Sequence, residues 1–173
     1  LQRILSLRSG NRRIKSEPID ISDRPVVFIT HMEHHSNQTS WYETNADVVM
    51  IPPTKDLLID LDALRAVLLQ YQNRRFKIGA FTACSNVTGI ITPYHEMAAI
   101  MHQAGGLCFV DFAASAPYVD INMHPEDPQQ KLDAIYFSPH KFLGGPGSSG
   151  VLLFDQSLYH SEIPDNPGGG TVD

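Results

Sequence analysis

"TPYHEMAAIMHQAGGLCFVD", residues 92–111, decides the fold. Thr92 offers a capping hydroxyl, Pro93 suits a first helical position where no hydrogen bond is lost, and Glu96 stands near capping-box spacing. Gly105 then supplies the residue that most easily ends a helix. "LCFVD" (107–111) follows at once as a short apolar run, the pattern of a strand buried on both faces. With "FKIGAFTAC" (76–84) as the strand before it, the stretch reads as one strand–helix–strand unit.

The same alternation extends in both directions. Upstream lie "VVFIT" (26–30) and a weaker strand "DVVMI" (47–51), with a helix expected between them. "DLDALRAVLLQYQ" (60–72) puts Leu61, Leu64, Leu68 and Leu69 on one helical face behind an Asp60 cap. Downstream, "LDAIYFS" (132–138) and "GVLLF" (150–154) complete the set of strands. "LQRILSL" at the start reads as a helix ending near Gly10, followed by a polar connection to Pro25. The expectation is an α/β fold: three layers, α/β/α, around a mainly parallel mixed sheet.

Bulk properties narrow the function. With 173 residues the chain forms one domain, and 13 basic against 19 acidic residues leave a formal charge of −6, which argues against nucleic acid or a membrane surface as partner. Cys84 and Cys108 each lie in an apolar stretch and read as buried free thiols in a reducing, cytoplasmic setting. No apolar run reaches membrane-spanning length. The start lacks both a methionine and a signal-peptide core, and "DNPGGGTVD" (165–173) looks like a passage to a further domain, so a truncated chain is expected.

Ligands of open α/β sheets gather beyond the carboxyl ends of the strands. There the sequence places "HMEHHSN" (31–37), "SNVTG" (85–89), Asp111 with "FAASAPY", and "PHKFLGG" (139–145). One cofactor, pyridoxal 5'-phosphate, uses all four. Lys141, flanked by His140 and by "FLGG" with no other charge, suits an imine link, and a water-poor pocket would keep its amine nucleophilic. Asp111 suits the ring nitrogen; His34 can stack on the ring and move protons. Ser138 and His140 can donate to the phosphate, and Asn86 to the phenolic oxygen or a substrate carboxylate.

In order and spacing, "THMEHHSNQTSW", "SNVTGIITPYHEMAAIMHQAGGLCFVDFAASAPY" and "FSPHKFLGGPGSSGVLLF" resemble the class V aminotransferase family of pyridoxal-phosphate enzymes, most closely its cysteine desulfurase and selenocysteine lyase branch. The resemblance runs from about Val26 to the end. It implies the large domain of a fold type I enzyme, residues 1–173 being one cofactor-binding domain without its N-terminal segment and C-terminal small domain. It implies Lys141 as the Schiff-base lysine, His34 as the stacking histidine, Asp111 as the pyridinium partner, Ser138 and His140 as phosphate ligands, and Asn86 near cofactor and substrate. It further implies a small amino-acid substrate, a homodimer in the full-length protein and a sulfur-acceptor protein as partner, the isolated chain being inactive. Where the family commonly has a glutamine three residues after the aspartate, this chain has Ala114. Neither cysteine matches the family's persulfide-forming one.

Other readings compete. Ala114 keeps alive a noncatalytic family member serving as an interaction or assembly module. "HMEHH" invites a zinc hydrolase but lacks both the P-C-x-x-C partner and HExxH spacing. Lys141 could be an ordinary surface lysine, and Asp111 could simply cap the turn after its strand. "GGPGSSG" (144–150) matches no nucleotide-binding pattern; its glycines suggest a plain turn or backbone passing close to a ligand or another subunit.

Overall fold

A computed structural model describes residues 1–7, 20–160 and 162. Six strands form one sheet: β1 (Val26–Ile29), β2 (Asp47–Met50), β3 (Lys77–Thr82), β4 (Leu107–Asp111), β5 (Ala134–Phe137) and β6 (Val151–Phe154). Their order is β2-β1-β3-β4-β5-β6; all pairings are parallel except β5 with β6. Three helices connect them: α1 (His35–Tyr42), α2 (Leu61–Gln70) and α3 (Tyr94–Gln103). Among the described residues no helix is long and apolar enough to cross a membrane.

The continuous apolar runs have the cause expected of them: every residue of β1 and β3 is buried. On one face of the sheet Phe28, Phe81, Val110 and Ile135 pack against Leu64 and Leu68 of α2 and Met97 and Met101 of α3. On the other, Val27, Ile29, Ala80 and Phe109 meet Trp41 of α1 together with Leu5 and Leu7. Among the described residues this second face carries the smaller set of buried side chains. The three-layer mixed sheet expected from the sequence is therefore the observed fold.

Several local expectations are corrected. Thr92 does not cap α3: Pro93 occupies the cap with no side-chain bond, and the Thr92 hydroxyl donates instead to Thr82 O at 2.6 Å, tying the helix start to β3. Gly105 does end the helix, at φ 71°, as Gly106 N–H donates to Met101 O. Asp60 caps α2 through Asp62 and Ala63 N–H, but Leu69 is 67% exposed, because the buried stripe runs through Leu64 and Leu68. Residues 1–7 form hydrogen-bonded turns rather than a helix, and the expected stop at Gly10 lies outside the described residues. The ending "DNPGGGTVD" lies outside them too. Both cysteines are free, with Cys108 buried and Cys84 only partly so, because it stands past the end of β3 at the pocket edge.

Candidate functional site

The sheet order reverses between β1 and β3: the chain leaves β1 for β2 on one side and resumes with β3 on the other. Connections that diverge in this way open a crevice at the carboxyl ends of the strands. A cavity of about 250 Å³ lies there, and its lining includes all six candidate residues: His34, Asn86, Asp111, Ser138, His140 and Lys141. The folding thus brings together side chains up to 107 positions apart (141 − 34). Cavities of about 550 and 530 Å³ adjoin it, the first sharing Asp111 and Ser138, the second Asn86 and Lys141.

Local structure explains how each side chain is held. His34 is the cap of α1: its Nδ1 accepts the Ser36 N–H at 3.2 Å and lies 2.7 Å from the Ser36 hydroxyl. With Nδ1 engaged as acceptor, a neutral imidazole carries its proton on Nε2. Asn86 rides a tight turn in which the Ser85 hydroxyl accepts from Val87 and Thr88 N–H, and Gly89, at φ 72°, donates to Ser85 O. Ser138 precedes a single 3-10 turn, Pro139–Lys141, whose start its hydroxyl does not cap. That hydroxyl is left for other partners.

The glycine loop has a steric reason inside the chain itself. A Cβ on Gly145 would stand 1.9 Å from Pro139 O, so the backbone folds back directly over the turn that carries Lys141. At Gly145 the close approach is to the loop's own preceding turn.

Asp111 is 6% exposed and ends β4. Its Oδ1 accepts the Ala113 N–H at 2.8 Å, the cap anticipated as its plain role, and this is the carboxyl's one hydrogen bond among the described residues. Burial raises its pKa, opposed by that bond and by the charges of Lys141 and His34. A buried carboxyl with one donor and cationic groups nearby is equipped to receive a further donor or cation. Lys141, by contrast, is exposed, and the water-poor surroundings expected for it are not built by the described residues. Ala114 lines both the central cavity and its 530 Å³ neighbour, bringing only a methyl group.

The residues of "HMEHH" diverge. His31 Nε2 lies 2.9 Å from Leu57 O, His34 caps the helix, and Glu33 turns into the protein. Among the described residues no three histidine, cysteine or acidic side chains cluster as metal ligands.

Sequence reasoning passed over Glu33, Asn37 and Tyr136. The Glu33 carboxylate accepts from Thr30 N–H (3.2 Å), the Thr30 hydroxyl (2.8 Å) and Asn37 Nδ2 (2.8 Å). The Asn37 Oδ1 in turn accepts from the Tyr136 hydroxyl at 2.7 Å. Burial pushes the Glu33 pKa up to about 7 in spite of its donors. The available signal was an acid in the short loop beyond a buried strand, three residues after Thr30 and four before Asn37.

The chain is similar in sequence and fold to known proteins. A family model described as "Aminotransferase class-V" matches residues 15–173. A "Probable cysteine desulfurase" of Halalkalibacterium halodurans is 33% identical over 158 residues, 89% of this chain and 37% of that protein. "Probable cysteine desulfurase 2" of Mycobacterium leprae is 31% identical over 98% of this chain and 38% of that protein. A crystal structure of a cysteine desulfurase from Escherichia coli superposes with a TM-score of 0.67 at 30% identity, covering 79% of this chain and 33% of that one. The chain spans less than two fifths of the length of these relatives.

Proposed function

The chain belongs to the class-V aminotransferase family, and from that premise we propose that it is the cofactor-binding part of a cysteine desulfurase-like enzyme that uses pyridoxal 5'-phosphate on a small amino acid. The observation that carries the reading is one cavity lined by an amine, a buried carboxyl short of donors, a capped imidazole and hydroxyl, imidazole and amide donors. This donor set fits the cofactor. The Asp111 carboxyl would hold its ring nitrogen, Lys141 its aldehyde carbon, Ser138 and His140 its phosphate oxygens, and Asn86 its phenolic oxygen or the substrate carboxylate. When bound, the cofactor supplies an electron sink for negative charge at the substrate α-carbon.

The chain's own groups do the rest. Burial draws Asp111 toward its neutral form, and a cationic N–H set against its second oxygen favours the ionised form again. His34 would cover the ring with a face fixed by its helix cap, and its Nε2–H would be free to donate a hydrogen bond to a substrate group. Lys141 shares the proton transfers once the cavity is closed from water. That closure comes from the small domain and a second subunit of a full-length homodimer, since the described residues leave Lys141 exposed. Cysteine and selenocysteine are the leading substrates, a sulfur-acceptor protein is the partner and the cytoplasm the setting.

The test is borohydride reduction of the purified protein with added pyridoxal phosphate, followed by peptide mass mapping. A pyridoxyl adduct on Lys141 that disappears in Lys141→Ala supports the reading. An unmodified Lys141 in folded protein overturns it. A second reading, the noncatalytic interaction module, is favoured by Ala114 and by the exposure of Lys141; it predicts that the complete protein turns over no amino acid.

A further inference from the structure

Behind the cavity a chain of hydrogen bonds runs through the face of the sheet that α1 covers. It starts at Thr30, passes through the Glu33 carboxyl to the Asn37 amide, and ends at the Tyr136 hydroxyl. Tyr136 on β5 is the in-register neighbour of Asp111 on β4, and neighbours in register on parallel strands project from the same face. Asn37, Asp111 and Tyr136 also line the same 550 Å³ cavity. We propose that Glu33, Asn37 and Tyr136 form a proton-linked relay that decides whether Asp111 receives a hydrogen bond from Tyr136, which makes Glu33 a positioning residue for the site.

The reasoning follows from counting donors and acceptors. Ionised Glu33 is acceptor-only, so Asn37 must offer it Nδ2, which leaves Oδ1 for Tyr136; the Tyr136 O–H is then spent on Asn37. Asp111 keeps the Ala113 N–H alone. When Glu33 takes up a proton on Oε2, that oxygen becomes a donor and faces the Nδ2 donor of Asn37. Rotation of the amide by half a turn exchanges Oδ1 and Nδ2 and relieves the conflict, at the cost of a long 3.4 Å contact to Ala80 O. Tyr136 now receives a hydrogen bond from Nδ2, and its own proton turns to the neighbouring Asp111. No covalent bond changes beyond the O–H formed at Glu33; the proton comes from solvent.

Each element around the relay bears on it electrostatically. The Glu33 carboxyl is drawn toward its neutral form by burial, opposed by its hydrogen-bond donors, and Arg3 lines the 550 Å³ cavity that Asn37 and Tyr136 share. Asp111 faces the relay from β4 and Tyr136 from β5, while Cys108 of β4 projects from the opposite face of the sheet; burial first, and then the charges of Asp111 and Glu33, disfavour ionisation of Tyr136. Lys141 and His34 act on Asp111 from the turn after β5 and from the α1 cap. Tyr136 therefore stays protonated and serves as a hydroxyl that can point either way.

As a device for tuning the partner of a cofactor ring nitrogen, the relay rests on the proposed function; as a coupling between two carboxyls it does not. The experiment is accordingly made without cofactor: carboxyl carbon-13 NMR of the purified protein labelled at aspartate, the Asp111 signal being identified by its loss in Asp111→Asn. The wild-type Asp111 signal should show an inflection where Glu33 titrates, near pH 7. Glu33→Gln, which imitates the protonated acid at every pH, should remove that inflection. Tyr136→Phe leaves both charges in place and should flatten the inflection by itself, so the proposal stays testable if Glu33→Gln folds poorly. An Asp111 signal blind to pH 7, or an inflection undiminished in Tyr136→Phe, overturns the relay. Failure of the protein to bind pyridoxal phosphate would overturn the function above and leave this result readable.

Discussion

Two buried aspartates on neighbouring strands, at opposite ends of the sheet, have opposite fates. Asp133, just before β5 at the amino end, accepts from His102 Nε2 (2.8 Å), Cys108 N–H (2.8 Å) and Lys131 Nζ (3.0 Å). Its burial raises the pKa, but these donors outweigh it and hold the carboxyl below the ordinary range. Asp111, at the carboxyl end, has the Ala113 N–H alone, and there burial prevails. The first carboxyl is spent on structure, clamping α3 to the sheet. The second keeps room for a further donor at the rim where ligands of such sheets gather, as the proposed function requires.

The largest effect expected is on stability at the clamp. Asp133→Ala leaves an imidazolium and a buried N–H without their acceptor and the Lys131 ammonium with Asp155 alone, and urea unfolding should show a loss of about 3 to 5 kcal/mol. A loss under about 1 kcal/mol would erase the contrast between the two ends. Next comes His102→Ala. The ring lies between two pure acceptors, Gln129 O and Asp133, so both nitrogens must carry protons, and the bond to Asp133 is the main cause of its raised pKa. A raised histidine stabilises fully below its unfolded value of about 6.5 and loses that contribution as pH climbs through the folded value. The gap between wild type and His102→Ala should thus be about 2 kcal/mol near pH 6 and shrink as the pH rises beyond the ordinary histidine range. A gap that widens with pH would contradict the protonated clamp.

At the site end the costs are smaller in stability and larger in binding. Gly145→Ala drives a methyl into Pro139 O and should cost about 1 kcal/mol while displacing the turn that carries Lys141. Retained trapping of pyridoxal phosphate at Lys141 would show that the turn tolerates the shift. Asp111→Asn is expected to change stability least, by about 0.5 kcal/mol or less, because an amide oxygen still accepts from Ala113. Its binding of pyridoxal phosphate, followed by absorbance, should nevertheless weaken at least about tenfold, the worth of one charge-assisted bond. Unchanged binding would return Asp111 to the role of a plain turn cap.

The two ends also differ in how much of them could be read from residues alone. Asp111, Lys141 and His34 stand immediately after apolar runs, where strand ends and chemistry coincide, and so were legible. The Asp133 clamp was not, because His102 and Lys131 come from segments that look like an ordinary helix face and loop. Thr92 shows the same limit on a local scale. Its capping geometry was plausible in the sequence, yet the carbonyl of Thr82, ten residues away, took the hydroxyl.

By itself, the sequence determined the sheet-forming runs, the helices between them and the identity of the groups at the strand ends, because burial periodicity and residue chemistry are properties of short segments. Tertiary structure alone decided which of those groups share partners. Hydrogen-bond satisfaction and desolvation depend on neighbours many residues apart, and they left Asp133 saturated, Asp111 reserved, and Glu33 joined to Tyr136 across 103 positions (136 − 33).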